Sequence, residues 1–419
     1  MVQRLSSEGL VTPRPGDGTF VAKPVLPPTP MSFGWQSAVL GRSPQIPGGL
    51  DHLKVKDLPG VLGLDAGFPD PSLQPHALLA KAAARAAKRP EAWERCLPEG
   101  IERLRTVFAR QLGPGFTASD VVITPGTQSA TDSIMRSFTR PGDSVLMEEP
   151  CYPGAIAAGT LAGVNLVPVP TDENGMRTDL VDAIAERSGA RLIFVQPRYA
   201  NPTGTVLAES RRVELLDLAR RRGMFIVEDD WVRDLDFENP SPPPLCTLDT
   251  GGHVLYLRSL SKVSAPGMRI GAVVARGPAA ARLRAMRTIT DFFASPLLQC
   301  TMLELFDDSG WTRHLQTMRT DLRVRRDLLV DALSRHAPAL RFAVPGGGVA
   351  LWVQLPDGME ESAFVRECGD RGVRVGPGRS YWLSEPPTGY ARISFASVPG
   401  SALAIAGKRI GGALKALTL

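Results

Sequence analysis

Residues 190–230 read ARLIFVQPRYANPTGTVLAESRRVELLDLARRRGMFIVEDD, and the pattern of this stretch predicts the type of fold. Its apolar runs LIFVQ (192–196) and FIVE (225–228) have the length and composition of buried β-strands. The segment between them, ESRRVELLDLARRRG (209–223), has the apolar period of a helix. A strand, a helix and a strand in this order predict a βαβ unit, in which the two strands lie parallel in one sheet.

The same alternation continues on both sides of this unit. Five more strand-like runs are VVIT (121–124), SVLME (144–148), NLVPV (165–169), VLYL (254–257) and GAVV (271–274). We therefore predict an α/β fold with a mainly parallel seven-stranded sheet and helices on both faces. Beyond residue 300 a smaller α+β domain is predicted from a long helix around 311–336 and short strands at 340–344, 350–355 and 390–395.

The N-terminal residues differ in texture from the rest. Arg4–Val11 is typical of the end of a helix that stops at a glycine, and Arg14–Val21 is typical of a tight β-hairpin. The proline-rich stretch after them predicts a semi-rigid linker. The predicted parts are an N-terminal element (1–23), a linker and arm (24–59), a large domain (60–300) and a small C-terminal domain (301–419).

The composition is that of a globular protein with enough apolar residues for a large core. Of the 419 residues, 43% are hydrophobic and 22% are charged. No apolar run approaches the roughly 20 residues of a membrane-spanning helix. The N-terminal MVQRLSSEGLVTPRPGDG lacks the apolar region of a secretion signal. These features predict a cytoplasmic protein without a membrane partner.

The sequence gives little support for disulfide bonds, a metal site or nucleic-acid binding. The five cysteines show no CxxC spacing and the five histidines occur singly, so we expect neither a disulfide framework nor a metal site. The net charge of +5 is spread along the chain, and a bias toward arginine explains it as well as DNA contact does. Only eight of the 48 basic residues are lysines, and Lys262 stands alone between Lys88 and Lys408.

Several predicted strands end in residues that can bind a ligand or take part in a reaction. These residues lie at the sheet edge where open α/β folds bind ligands. Gly126, Thr127 and Gln128 open a helix, whose free N–H groups favour a phosphate, although an ordinary helix start has similar residues. Tyr152 is placed either to stack on a flat ligand or to join the core. Asn201 either faces the same crevice or hydrogen-bonds within its own turn.

Charged residues complete this set. Asp229 belongs to three acids that end a strand, and a carboxylate there suits a protonated ring nitrogen better than a metal, because no histidine is near. Lys262, with Ser259 and Ser261, ends another strand and is suited to forming a Schiff base with an aldehyde; the default alternative is a surface lysine. Arg269 could provide a second contact to a bound phosphate. Together these strand ends predict a pocket for pyridoxal phosphate.

With this order of motifs the sequence resembles the fold-type-I, aspartate-aminotransferase-like enzymes. Within them it is most similar to the aminotransferase domain of the MocR branch of the GntR regulators, from GFPD (67–70) to RISF (392–395). The resemblance implies a class I/II enzyme that uses pyridoxal 5′-phosphate and works as a homodimer with shared active sites. Residues 1–23 resemble the helix end and wing of a truncated winged helix-turn-helix, so DNA is not an expected partner of this chain.

The resemblance also implies a role for each candidate residue. Lys262 would hold the cofactor as a Schiff base and move protons, and Asp229, rather than Asp230, would pair with its pyridine nitrogen. Arg392 would bind the substrate α-carboxylate, with Gly67 at the entrance. The other implied cofactor contacts are stacking by Tyr152, a ring-hydroxyl contact by Asn201 beside Trp231, and phosphate binding by Gly126, Thr127, Gln128, Ser259, Ser261 and Arg269.

The sequence departs from the family pattern at two places near the pocket. Trp231 stands where the family usually has a tyrosine, and it offers only an indole N–H, so Asn201 is expected to remake the lost contact. A tyrosine expected about five residues before Gly100 is absent. Trp93 or Arg95 occupies that region, which would reach the phosphate bound by the partner subunit.

Three functions are compatible with such a pocket. The preferred one is transamination between an α-amino acid and a 2-oxo acid, with the cofactor as electron sink. The second is a transcription factor that senses a ligand in the pocket without turnover, which the N-terminal element favours. The third keeps the cofactor but decarboxylates, eliminates or oxidises, which Trp231 and the altered region around Arg95 leave open.

Overall fold

The computed structural model describes residues 1–22, 33–40, 48–54, 58–238 and 240–418. The chain forms two compact units, Met1–Gln45 and Ile46–Leu419. Among the residues described, no helix is both long and apolar enough to cross a membrane.

The first unit contains a helix and a hairpin close to the positions predicted for them. Helix α1 (Val2–Ser7) is followed by strands β1 (Val11–Arg14) and β2 (Gly18–Val21), which pair antiparallel with Arg14 opposite Gly18. A second helix, α2, spans Gly34–Leu40. The predicted proline-rich linker falls largely on residues 23–32, which lie outside the described part of the chain.

The second unit carries the remaining elements. Its helices are α3 (His76–Ala86), α4 (Glu102–Leu112), α5 (Thr127–Phe138), α6 (Pro153–Ala162), α7 (Thr178–Ser188), α8 (Glu209–Arg222), α9 (Leu245–Leu248), α10 (Gly277–Thr290), α11 (Pro296–Phe306), α12 (Gly310–His336), α13 (Glu361–Asp370) and α14 (Gly400–Thr418). Its strands are β3 (Leu62–Gly63), β4 (Val121–Thr124), β5 (Ser144–Glu149), β6 (Asn165–Asp172), β7 (Gly175–Met176), β8 (Leu192–Val195), β9 (Phe225–Asp230), β10 (Val254–Ser259), β11 (Gly271–Val274), β12 (Ala350–Gln354), β13 (Val373–Arg374), β14 (Gly376–Pro377) and β15 (Tyr390–Ser394).

The main sheet has eight strands in the order β4-β11-β10-β9-β8-β5-β6-β7. The five central strands from β10 to β6 pair parallel, whereas β11 runs antiparallel to both of its neighbours. All seven predicted strands are therefore present in a mainly parallel sheet. The prediction of seven strands missed the edge strand β7, whose two residues pair antiparallel with the end of β6.

The core lies on both faces of this sheet because successive strand residues point to opposite sides. Along β8, Leu192 and Phe194 pack in one apolar cluster, and Ile193 and Val195 pack in the other. The first cluster includes residues of α5, α6 and α10, and the second includes residues of α4, α7, α8, α11 and α12. Helices thus cover both faces, as the pattern of apolar runs predicted.

The C-terminal part of the chain forms a smaller three-stranded sheet, β12-β15-β14, next to helices α12 to α14. The strand predicted at 340–344 is reduced to a single bridge between Arg341 and Gln354. Residues 62–70 run beside these strands: the Leu64 N–H donates to the Arg374 carbonyl (2.9 Å), and the Asp70 N–H donates to the Ala396 carbonyl (2.8 Å). This pairing fixes the segment that carries Gly67.

Candidate active site

A cavity of about 330 Å³ lies at the carboxyl ends of β8, β9 and β10, beside the start of α5. It is lined by every residue selected from the sequence except Gly126, namely Gly67, Thr127, Gln128, Tyr152, Asn201, Asp229, Trp231, Ser259, Ser261, Lys262, Arg269 and Arg392. Gly126 lies just before α5 with φ of 88°, and its N–H donates to the Thr124 carbonyl (2.8 Å). That N–H is therefore engaged within the turn, and only the residues after it face the cavity.

The Lys262 amine stands among aromatic rings and cationic side chains. Its Nζ lies 3.9 Å from the ring centre of Phe68 and 5.8 Å from that of Trp231. Burial lowers the pKa of Lys262 to about 7, and the nearby Arg392 and Arg269 act in the same direction against Asp229. Because a large share of the amine is unprotonated near neutral pH, Lys262 is suited both to attack a carbonyl and to act as a base.

Lys262 and Arg392 converge on Gly67. A Cβ atom placed on Gly67 would lie 3.8 Å from both Lys262 Nζ and Arg392 Nη2. Arg392 is held in the middle strand β15, opposite Trp352 and Gly376, and is only 2% exposed. Its Nε is buried without a hydrogen-bond partner among the residues that the structure describes. An anion in this part of the cavity would meet a fixed guanidinium next to the reactive amine.

Asp229 points into the cavity from the end of β9. Its Oδ2 accepts a hydrogen bond from Gln196 Nε2 (2.8 Å), while its Oδ1 is buried and has no hydrogen-bond partner within the described ranges. Burial raises the pKa of Asp229 to about 7, although the Gln196 hydrogen bond lowers it. The carboxylate is therefore short of a positive partner, and a cationic ring nitrogen would supply one.

The neighbouring acids are occupied elsewhere. Glu228 accepts hydrogen bonds from the N–H groups of Leu245 (2.8 Å) and Cys246 (3.0 Å). Asp230 accepts a hydrogen bond from the Tyr256 hydroxyl (2.8 Å) and lies 3.2 Å from Arg198 Nε. Of the three acids in a row, Asp229 is the one that lines the cavity.

Gln196 is a site residue that the sequence reasoning missed. Its Nε2 donates to Asp229, and its Oε1 accepts a hydrogen bond from the Asn201 N–H (2.9 Å). Its own N–H donates to Glu148 Oε2 (2.8 Å), which ties it to the adjacent strand β5. A signal was available in the sequence, because Gln196 is the one polar residue in the run LIFVQ.

One end of the cavity has the features of an anion site. Thr127 begins α5, and the buried Ser261 Oγ has no hydrogen-bond partner in the described part of the chain. Arg269 Nη2 donates to the Pro125 carbonyl (3.0 Å), and a Cβ on Gly126 would lie 2.6 Å from the same nitrogen. The guanidinium is thus packed against the helix start, where N–H groups and the helix dipole favour a phosphate.

Trp231 presents its ring to the cavity and uses its N–H elsewhere. The indole Nε1 donates to the Tyr199 carbonyl (3.2 Å). Asn201 lines the cavity beside it, and its Oδ1 is buried without a partner among the described residues. The replacement of the family tyrosine by Asn201 stays a prediction.

The second departure from the family pattern lies on the surface. Trp93 is 68% exposed, and its indole N–H donates to the Ala87 carbonyl (2.9 Å). Arg95 is also exposed. No group of three or more potential metal ligands occurs among the described residues, and all five cysteines are free thiols.

Comparison with known proteins identifies the family. The model of aminotransferase class I and II matches residues 59–410. This chain belongs to the class I and II aminotransferases. A 2-aminoadipate transaminase from Thermus thermophilus is 32% identical over 371 residues, which cover 87% of this chain and 93% of that protein. The HTH-type transcriptional regulator YjiR from Escherichia coli is 29% identical over 429 residues, which cover 98% of this chain and 89% of YjiR.

Solved aminotransferase structures share the fold. LysN from Thermus thermophilus, complexed with N-(5′-phosphopyridoxyl)-L-leucine, superposes with a TM-score of 0.82 at 30% identity and covers 92% of this chain and 98% of its own. The kynurenine aminotransferase of Pyrococcus horikoshii superposes with a TM-score of 0.83 at 26% identity and covers 91% and 96%. The predictions of the fold-type-I architecture, of pyridoxal phosphate as cofactor and of a transferase are confirmed.

Proposed function

We propose that this aminotransferase exchanges an amino group between an α-amino acid and a 2-oxo acid, with Lys262, Asp229 and Arg392 as its central residues. The observation that carries the proposal is the convergence of a lysine amine and a buried arginine beside Gly67, where both nitrogens would lie 3.8 Å from a Cβ placed on that glycine. The carboxylate and the amine of an α-amino acid are joined through one carbon atom. A substrate whose carboxylate is bound by Arg392 would therefore have its Cα and its amine close to Lys262.

The side chains fit pyridoxal phosphate. Buried polar atoms are normally hydrogen-bonded, yet five around this cavity have no partner among the described residues, namely Gln128 Oε1, Asn201 Oδ1, Asp229 Oδ1, Ser261 Oγ and Arg392 Nε. Asp229 fits a protonated ring nitrogen, and the side-chain amide of Asn201 fits the ring hydroxyl. Ser261, together with Thr127 and Arg269, fits the phosphate.

The roles of the chain in catalysis follow from this arrangement. Bound there, pyridoxal phosphate supplies an aldehyde that captures an amine and a ring that accepts negative charge from the substrate Cα. Asp229 keeps the ring nitrogen protonated, and Tyr152 stacks on the ring. Lys262 Nζ would accept the proton from the substrate Cα and move it during the exchange. Arg392 orients the substrate through its carboxylate.

The phosphate contacts are assigned in the same way. Thr127, Gln128, Ser259, Ser261 and Arg269 line the cavity near the start of α5 and hold the phosphate. Gly126 contributes by its conformation, since its φ of 88° is rarely adopted by other residues. Trp231 closes the ring side of the cavity with an apolar face.

A role in transcription is the second candidate. The similarity to YjiR extends over 98% of this chain, and residues 2–21 form a short helix and a hairpin. We infer that residues 1–23 correspond to the end and wing of a winged helix-turn-helix, and residues 24–59 to a linker and arm. Its cytoplasmic location stays a prediction.

We also propose a homodimer. Exposed apolar side chains lie on two segments, Trp93 and Leu97 on one and Ile289 and Phe292 on the other, with exposures of 68%, 60%, 79% and 68%. The two segments are in contact, because the Cys96 thiol donates to the Ala294 carbonyl (3.9 Å). A cluster of large exposed apolar side chains is typical of a protein interface.

The decisive experiment is a turnover assay of the purified protein with its cofactor. We expect amino acids to change the cofactor absorbance, the matching 2-oxo acids to form, and borohydride reduction to attach the cofactor to the peptide that contains Lys262. Lys262→Ala should abolish the borohydride attachment and strongly slow 2-oxo acid formation, and Lys81→Ala, at an exposed lysine outside the cavity, should change neither. A protein that binds the cofactor but converts no amino acid would contradict transamination and favour the sensor.

A further inference from the structure

Apolar side chains from three segments line the cavity, and one of them lies at its opening. Leu53 lines it and is 60% exposed, which places this side chain at the opening. Leu50, Phe68 and Pro153 line it as well. An apolar ligand group in this position would cover surface that is otherwise left in water, which is favourable.

The short 3₁₀ helix that carries Leu50 and Leu53 is packed closely. It spans Gly48–Leu53, and a Cβ placed on Gly49 would lie 2.7 Å from Pro153 Cγ and 3.2 Å from Ser380 Cβ. The helix therefore lies against the start of α6 and against the turn before Tyr381, and the apolar side chains it presents form a wall of the cavity.

The positive charges of the cavity are already assigned. Its cationic lining residues, among those described, are Lys262, Arg269 and Arg392. Lys262 holds the cofactor, Arg269 lies at the phosphate end against Pro125, and Arg392 binds the α-carboxylate. Lys54 follows Leu53 in sequence but does not line the cavity. Among the residues that the structure describes, a second carboxylate on the substrate would meet this apolar wall and no further cationic lining residue, which is costly.

We propose that the site selects amino acids with apolar side chains, aromatic ones included, over dicarboxylic amino acids, and that Leu50, Leu53 and Phe68 form the side-chain wall. This inference rests on the proposed function, because it assumes that Arg392 binds the α-carboxylate. The curated relatives do not decide the question, since they include a 2-aminoadipate transaminase and an aromatic-amino-acid aminotransferase.

The test combines turnover with binding of unreactive carboxylates. We expect kcat/KM for phenylalanine and leucine to exceed that for glutamate and 2-aminoadipate by about a hundredfold. For the holoenzyme, 3-phenylpropanoate should shift the cofactor absorbance at a concentration at least about tenfold lower than glutarate does. Neither carboxylate has an amine, so this second measurement is independent of catalysis.

Variants at Leu53 link the preference to the wall. Leu53→Ala should lower kcat/KM for phenylalanine about tenfold and leave alanine unchanged, because the methyl group of alanine does not reach the wall. Leu58→Ala is the matched control, since Leu58 is 57% exposed and does not line the cavity. Leu53→Arg should raise activity toward 2-aminoadipate by about tenfold.

The outcomes separate the two proposals. Tighter binding of glutarate than of 3-phenylpropanoate, or equal effects of Leu53→Ala and Leu58→Ala, would overturn the assigned side-chain preference. Absence of 2-oxo acid formation from every amino acid would instead overturn the proposed transamination, and the carboxylate titrations would still decide the preference.

Discussion

Replacement of Gln196 by methionine tests how the chain positions Asp229. Gln196 is 3% exposed and makes two side-chain hydrogen bonds, to Asp229 Oδ2 (2.8 Å) and from the Asn201 N–H (2.9 Å). Methionine fills a similar volume but offers neither a donor nor a comparable acceptor. The variant leaves a buried carboxylate oxygen and the N–H of the half-buried Asn201 unpaired. The carboxylate oxygen costs about 1–3 kcal/mol and the half-buried N–H less, so the free energy of unfolding should fall by about 1–4 kcal/mol.

The same substitution should change cofactor binding and its pH dependence. The Gln196 hydrogen bond lowers the pKa of Asp229, so its loss raises that pKa further above its ordinary value. A larger fraction of Asp229 is then neutral at neutral pH and pairs less well with a protonated ring nitrogen. Loss of about 1.4–2.8 kcal/mol of interaction corresponds to a ten- to hundredfold weaker cofactor affinity. The acid limb of affinity against pH should move to higher pH.

Gln299→Met is the matched control for this experiment. Gln299 is fully buried and has the same pattern of contacts, because its Oε1 accepts from the Ile101 N–H (2.8 Å) and its Nε2 donates to the Ala294 carbonyl (2.7 Å). Urea unfolding, cofactor titration from pH 5 to 9 and size-exclusion chromatography are measured for both variants. Similar losses of stability with unchanged cofactor affinity and pH profile in both would refute the positioning role of Gln196.

Four further predictions concern residues around the cavity and on the surface. Lys262→Ala should lower single-turnover rates about 10²–10⁴-fold, measured by stopped-flow absorbance. In the apoprotein, Asp229 has a pKa of about 7, above its ordinary value of 3.8, so it contributes stability at low pH that is lost as the pH rises between these two values. Urea unfolding at pH 5 and at pH 8 measures this loss of stability, which should be smaller in Asp229→Asn. Arg392→Lys should raise KM for amino acids about tenfold and leave cofactor affinity unchanged, as steady-state kinetics and titration would show. Phe292→Asp should weaken the dimer, measured by light scattering, whereas an unchanged mass would exclude this surface as the interface.

The sheet was predictable because its strands are buried on both faces. Runs such as FIVE (225–228) and LIFVQ (192–196) are apolar throughout, and this pattern is typical of central parallel strands. Strand β7, with two residues, is too short to leave a pattern. The segment 340–344 has apolar residues but forms only one bridge, because pairing depends on partners distant in sequence.

The residues of the cavity were predictable where a strand end carries them. Parallel strands bring their carboxyl ends to one edge, so Asn201, Asp229 and Lys262 could be placed together from sequence alone. The apolar wall could not be predicted in this way. Leu53 belongs to a short 3₁₀ helix, and Phe68 to a segment that pairs with C-terminal strands, so their positions depend on contacts across the whole unit.

Strand geometry explains why only the middle one of the three acids at the end of β9 faces the cavity. Strand geometry turns alternate residues to opposite faces, so Asp229 points away from Glu228 and Asp230. Those two acids receive hydrogen bonds from two backbone N–H groups and from the Tyr256 hydroxyl, respectively. Asp229 keeps one oxygen without a partner and a pKa raised by burial to about 7. A bound cationic ring nitrogen therefore relieves an unfavourable state of the apoprotein, and this relief adds to cofactor affinity most strongly above pH 7, where the apoprotein carries the unpaired charge.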